Sequence, residues 1–148
     1  MKKIGIFSIV MALAFGAVIF LACNDAFVPQ RNSEGKSEIT IYLGKERFSL
    51  VTGEDFLFGA LEELRDKYGI ALEYEEMPPF GRMLVAVGSE DSRGVDGFIA
   101  IYTSIAHPTI SFPQERTVSG TRVFSANLGA DELPLSNGEK YFLILTAF

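Results

Sequence analysis

EITIYLGKERFSLVTGEDFLFGALEELRDKYG, residues 38–69, changes its hydrophobic period once, and that change decides the fold. Ile39, Ile41 and Leu43 alternate with Thr40 and Tyr42, Gly44-Lys45-Glu46 offers a turn, and Phe48 with Leu50 resumes the alternation. Period two on both sides of a turn predicts a β-hairpin. From Leu57 the spacing becomes helical: Leu57, Ala60, Leu61, Leu64 and Tyr68 share one stripe, and Glu62, Glu63, Arg65, Asp66 and Lys67 fill the other faces. Glu54 and Asp55 suit the positive end of this helix, Lys67 its negative end, and Gly69 the left-handed residue that closes it.

Downstream of Gly69 every signal is strand. Ile70 to Tyr74 is a short run that must break at Met77-Pro78-Pro79, Arg82 to Val87 is a second, and Gly97 to Ser104 a third, with Asp91-Ser92-Arg93-Gly94 as turn material between them. Val123 to Leu128 reads as a further short strand, and Ser136-Asn137-Gly138 as a tight turn. Tyr141-Phe142-Leu143-Ile144-Leu145 is nearly all apolar, the pattern of a central strand covered on both faces. Two strands, one helix and then several strands imply an α+β fold of the β-grasp kind, a mixed sheet with one covering helix over residues 38–148.

Upstream, residues 24–37 mix Asn, Pro, Gln, Ser, Glu, Gly and Lys without periodicity and read as a flexible tether, with a reach of roughly 20 Å. Before the tether, Lys2 and Lys3 open an uncharged run from Ile4 to Ala22 that ends in Phe20-Leu21-Ala22-Cys23 and then Asn24-Asp25. A positive start, an apolar run and a small residue at the end describe an export signal, residues 1–22. The run is also long enough to span a bilayer uncleaved. Its end resembles a lipobox, although Phe20 stands where Leu is usual, and the chain's single cysteine falls where lipid would be attached. Either outcome leaves the rest of the chain extracytoplasmic, because the two lysines favour the inside. A diacylated Cys23 would anchor the protein to a bacterial membrane without any helix.

Without residues 1–22 the chain carries 11 basic and 19 acidic side chains, a balance of −8. That excludes the clustered positive charge on which nucleic-acid binding depends. With Cys23 used by lipid, no thiol remains for a disulfide or a thiolate metal site, so the domain must find its stability in packing.

From about Ile39 to the C-terminus the chain resembles the transcobalamin-like C-terminal domain family, which includes the smaller domain of vitamin B12 carriers and many bacterial lipoproteins. The matching features come in order: a hairpin ending in Gly53, a helix holding Ala60-Leu61, the pair Phe80-Gly81 leading into Met83 to Val87, and the strand Gly97 to Tyr102. Last comes Gly129 to Glu139, with its Leu and Asn-Gly before the final strand. The resemblance implies a ligand-binding domain with Phe80, Gly81, Phe98 and Tyr102 near the contact, for a flat, partly apolar, cobalamin-like molecule. Phe80 and Phe98 stand where the carriers commonly hold Trp, and the carriers' larger helical domain is absent, so tight B12 binding is not implied for this chain alone.

Read residue by residue, the chain shows no nucleophile elbow and no phosphate-cradling glycine motif, so no enzyme activity, no cofactor and no metal is expected. His107, beside Pro108, is expected to be an exposed loop residue without the partners a triad or His-rich metal site needs. Glu73, Glu75 and Glu76 read as a solvated strand face. Ser89, Glu90, Asp91, Ser92 and Asp96 are oxygen-rich but lack the spacing of a calcium loop. The segment from Ile105 to Arg122, with Pro108, Ile110, Phe112, Pro113 and Arg116, is either a long functional loop or a strand folded back on the edge. The expectation is therefore a lipid-anchored, non-catalytic binding module. The alternative is a protein-interaction or envelope-structural module that engages another envelope protein through an exposed strand or this loop.

Overall fold

The computed structural model describes residues 27–79, 81–107 and 113–148; Cys23, Phe80, Pro108, Ile110 and Phe112 lie outside the described residues. The described residues form a mixed α+β fold with one helix and two sheets. β1 (Ser37–Leu43) and β2 (Glu46–Thr52) pair antiparallel around the Gly44-Lys45 turn. Their alternation is realised as burial, since Ile39, Ile41, Leu43 and Leu50 face the core.

Helix α1 (Leu57–Tyr68) buries Leu57, Phe58, Ala60, Leu61 and Leu64, and Gly69 closes it in the left-handed region at φ 67°. Glu54 and Asp55 precede the helix, whose first turn holds no acid. The start is satisfied instead by backbone: Leu57 N–H donates to Leu133 O at 2.9 Å and Phe58 N–H to Ala130 O at 3.0 Å. Those bonds use two of the free donors of a helix N-terminus and fasten the loop of residues 129–135 over it.

The remaining strands are β3 (Leu72–Glu76), β4 (Arg82–Val87), β5 (Glu90–Asp91), β6 (Gly97–Thr103), β7 (Glu115–Val118), β8 (Thr121–Ser125) and β9 (Lys140–Ala147). The large sheet runs β2-β1-β9-β6-β8-β7, with β1 and β9 parallel at its centre; β3-β4-β5 form a small antiparallel sheet. The central position of β9 is the one its apolar run predicted, and Tyr141, Phe142 and Leu143 are all buried. One face packs against α1 around Tyr141, Leu143, Ile39 and Ile41. The other carries a second apolar cluster of Tyr102, Val123 and Phe142, where Tyr42 stacks on Phe142 at 4.4 Å.

One open reading narrows and one expectation changes. Of the two readings of residues 105–122, loop or edge strand, residues 115–122 take the second as part of a β-hairpin at the sheet edge, because Ser119 (φ 49°) and Gly120 (φ 77°) make the doubly left-handed turn that suits twisted strands. Residues 27–36, expected as a free tether, lie against the domain. Gln30 N–H donates to Ser136 Oγ at 3.0 Å, and Asn137 N–H to Gln30 O at 2.8 Å. Arg31 reaches Glu54 O and Asp55 Oδ1, each at 2.9 Å. Composition signalled little apolar surface to bury, but polar contacts hold the strap.

Candidate functional site

The candidate site arises where two strands stop pairing. β6 is bonded to β9 along its whole length, whereas β8 reaches it only at Tyr102 and Thr103. Beyond that point the edge of β6 borders a cavity of about 280 Å³. Five consecutive residues, Phe98 to Tyr102, line it. Side chains alternate between faces along a strand, so five in sequence mean that the cavity runs along the strand's edge. Arg82, Met83 and Leu84 of β4 form the facing wall, and residues 127–130 close one end.

Backbone polarity follows the same alternation. Ile101 O accepts from Ala126 N–H on the β8 side, whereas Ser104 N–H donates to Lys140 O on the β9 side. Odd-numbered residues of β6 therefore aim their N–H and C=O toward the β8 side, and at Ile99 no strand is paired there among the described residues. Leu145 N–H stands at a comparable open edge beyond the end of β1, yet Glu90 Oε2 accepts from it at 2.6 Å.

The wall side chains are mostly apolar, with Gln114, Ser125 and Asn127 as polar points. Among the described residues no carboxylate lines it and Arg82 is the only charge on the wall, already engaged: its backbone N–H donates to Asp131 Oδ2 at 3.1 Å, Nε lies 3.4 Å from Glu76 Oε1, and its guanidinium rests 4.4 Å from the Phe58 ring. Such a cavity suits an uncharged, partly apolar group with a few hydrogen-bonding atoms.

Of the expected ligand-binding residues, Phe98 and Tyr102 line this cavity, and Gly81 adjoins its wall in sequence without lining it. Phe98 is partly exposed, packs 5.4 Å from Phe148 and lies on the same face of β6 as Tyr102. Tyr102 is buried, and its hydroxyl accepts from Arg116 Nη1 at 3.2 Å. Gly81 directly precedes the wall residue Arg82, and its carbonyl accepts from Met77 N–H at 2.8 Å. Phe80 and Cys23 fall outside the described residues. Met83 and the closing segment 127–130 were not singled out from sequence as wall residues. No local signal marked the closure: alternation runs on to Leu128, whereas the strand stops at Ser125 and Asn127 takes a positive φ of 51°.

His107 corrects an expectation outright. It is 2 % exposed rather than a surface loop residue. Nε2 lies 2.7 Å from Glu139 Oε1, and Glu139 Oε2 accepts from the Tyr141 hydroxyl at 2.5 Å. Phe27 covers the imidazole at 4.4 Å, and Nδ1 has no partner among the described residues. Burial, and then the neighbouring Glu139 carboxylate, push the Tyr141 phenol upward, so it stays a donor. His107 and Glu139 side chains are sealed from solvent, which makes the trio a structural clamp beneath the strap.

The other acidic candidates are also engaged. Glu73 meets Arg93 at 2.9 Å, and Asp91 meets the same guanidinium at 2.6 Å. Among the described residues no group of three or more His, Cys, Asp or Glu side chains is arranged to hold a metal ion, and no helix is long and apolar enough to cross a membrane.

No family model matches the chain, and no curated protein matches it. Among solved structures it is similar to a chain from Ruminococcus gnavus ATCC 29149 named a "putative metal binding protein". The identity is 19% and the TM-score 0.47, over 76% of this chain and 97% of that one.

Proposed function

We propose that the protein is an extracytoplasmic lipoprotein, anchored to a bacterial membrane through Cys23, whose domain binds a small, flat, partly apolar ligand without catalysis. The observation that carries the reading is the cavity between β4 and β6, with Phe98 and Tyr102 on its wall. The β-grasp reading has support in the strand order, a hairpin followed by a helix and a last strand parallel to β1 in the middle of the sheet. The sequence resemblance to transcobalamin-like domains agrees with it.

The size of the cavity limits the ligand. Sites for drug-sized molecules occupy roughly 300–1,000 Å³, and this one, at about 280 Å³, falls just short. A corrinoid would place an edge or side group in the cavity and lay its ring over partly exposed Phe98 and Met83. The test is titration of the purified protein with cobalamin, cobinamide and heme, followed by absorbance and melting temperature. Saturable binding that weakens about fivefold in Phe98→Ala, the loss of one aromatic contact worth ~1 kcal/mol, supports the reading. No binding at high micromolar ligand removes it.

One observation favours a second reading, a protein-interaction module. The N–H and C=O of Ile99 point from a stretch of β6 that no strand pairs among the described residues, the geometry through which an extended segment of another chain adds a strand. Amide exchange at Ile99 in the presence of envelope extract separates the readings: protection there, with no response to the three ligands, selects the interaction module.

A further inference from the structure

We propose that the domain sits directly on the bilayer, with the end of the large sheet at which β1 and β9 begin turned toward the lipid. The inference rests on the reading of Cys23 as the lipidated residue and goes beyond it, because lipidation alone is compatible with a domain carried at a distance.

The argument is one of chain length and attachment. Phe27 is fixed to the domain by its ring on His107, and residues 30 and 31 are fixed by hydrogen bonds to Ser136, Asn137, Glu54 and Asp55. Four residue steps separate Cys23 from Phe27, and a fully extended chain spans at most ~3.6 Å per residue, so the anchored residue lies within about 14 Å of Phe27. A docked strap thus removes most of the reach that a free tether would supply.

The surface at that end agrees with a lipid neighbour. Val28 is 71% exposed and Ile105 is 42% exposed, and they flank in sequence the two rings, Phe27 and His107, that close the strap. Single exposed apolar residues are ordinary. These two belong to the one end of the molecule that chain length confines near the membrane. The chain without its first 22 residues is acidic, so attraction to anionic lipid is not what seats it. The anchor and the strap are. Antiparallel pairing of β6 with β9 places Thr103 at the lipid end and Phe98 away from it, so the Phe98 end of the cavity opens away from the bilayer.

The test uses the full chain produced in a bacterial host and reconstituted in phosphatidylcholine vesicles containing headgroup-spin-labelled lipid. A thiol fluorophore is placed on Val28→Cys, Ile105→Cys or, at the opposite end, Lys45→Cys, since a lipidated Cys23 does not react. The expected result is loss of fluorescence at 28 and 105 and none at 45. A further Phe27→Ala with Gln30→Pro and Arg31→Ala, which removes the ring, the Gln30 N–H donation and the Arg31 bonds that hold the strap, is expected to abolish the loss at 105. Equal fluorescence at all three positions, or loss at 105 that persists after the strap is freed, overturns the seating. Mass spectrometry of the N-terminal peptide reads the anchor separately: an unmodified Cys23 refutes lipidation, and the seating falls with it.

Discussion

Glu139 does more for this fold than any residue the sequence marked as functional. It is fully buried and holds two partners, His107 Nε2 on one oxygen and the Tyr141 hydroxyl on the other. The Tyr141 hydroxyl donates to one oxygen, and His107 Nε2 shares a hydrogen bond with the other. Removing Glu139 leaves His107 Nε2 without its partner and the phenol with only Pro134 O, at 3.2 Å, whereas removing the phenolic oxygen keeps the His107 bond and costs Ser136 N–H its acceptor. Glu139→Ala is therefore expected to cost about 3–5 kcal/mol, and Tyr141→Phe about 1–3 kcal/mol, in urea denaturation. Equal costs for the two would refute the clamp. A surface carboxylate behaves differently. Hydrogen bonds from the Arg93 side chain and then from its backbone hold Asp91 down at about 2, below its usual 3.8. A lowered folded-state value stabilises the fold above the ordinary value, and that contribution disappears as pH falls through about 2. Asp91→Asn should lower the melting temperature slightly at pH 6, by less at pH 2, where the carboxyl is half protonated, and hardly at all at pH 1; a difference as large at pH 1 as at pH 6 contradicts the pairing. None of the clamp was legible in sequence. His107 and Glu139 are 32 residues apart, and only the pairing of β6 with β9 brings their chain segments together.

At the scale of elements the sequence was informative wherever a period ran long enough to be heard. The hairpin of β1 and β2, helix α1 and strands β4, β6 and β9 stand where alternation and helical spacing placed them. Gly69 ends the helix as expected, with φ 67° and open space where a side chain would go. Gly69→Ala thus tests backbone conformation alone and should cost about 1 kcal/mol, read as a lower urea midpoint at unchanged slope. Leu64→Ala removes a fully buried side chain from the same helix and should cost about 2–5 kcal/mol. If the glycine variant proves the more damaging, the account of the helix terminus is wrong. What escaped the reading was short or contextual. β5 has two residues, β7 has four, and the Ser119-Gly120 turn that joins β7 to β8 is a dipeptide inside a segment dominated by Pro and polar residues. The candidate site was half legible. The family resemblance, rather than any spacing, marked Phe98 and Tyr102, but the cavity exists because β8 pairs with β6 at two residues only, and register of that kind is not written in hydrophobic periodicity.

The whole molecule is organised by one parallel pair. β1 and β9 lie side by side at the centre of the large sheet, so the chain enters and begins its last strand at the same end. The strap, the turn at Asn137-Gly138 and His107 gather there. Asn137 Oδ1 accepts from Glu38 N–H at 2.8 Å, and Gly138 N–H donates to Glu38 O at 2.7 Å. Residues 27–36 therefore belong to the folded unit, although their composition resembles a linker. A chain beginning at Ser37 would lose Phe27 from the imidazole and the bonds of Gln30 and Arg31 while keeping every strand and the helix. Half-burying a Phe is worth roughly 1–1.5 kcal/mol. The few hydrogen bonds contribute about 1 kcal/mol each where they are shielded and less where exposed. The shortened chain should thus be less stable by about 2–4 kcal/mol in urea, with unchanged far-ultraviolet circular dichroism. Exchange of the amides at 137–141 should be faster, and exchange in α1 should change only by the global loss. A shortened chain as stable as the longer one would show that the strap is passive. In that case residues 24–36 would act as a free tether, and the domain would have no fixed orientation at the membrane.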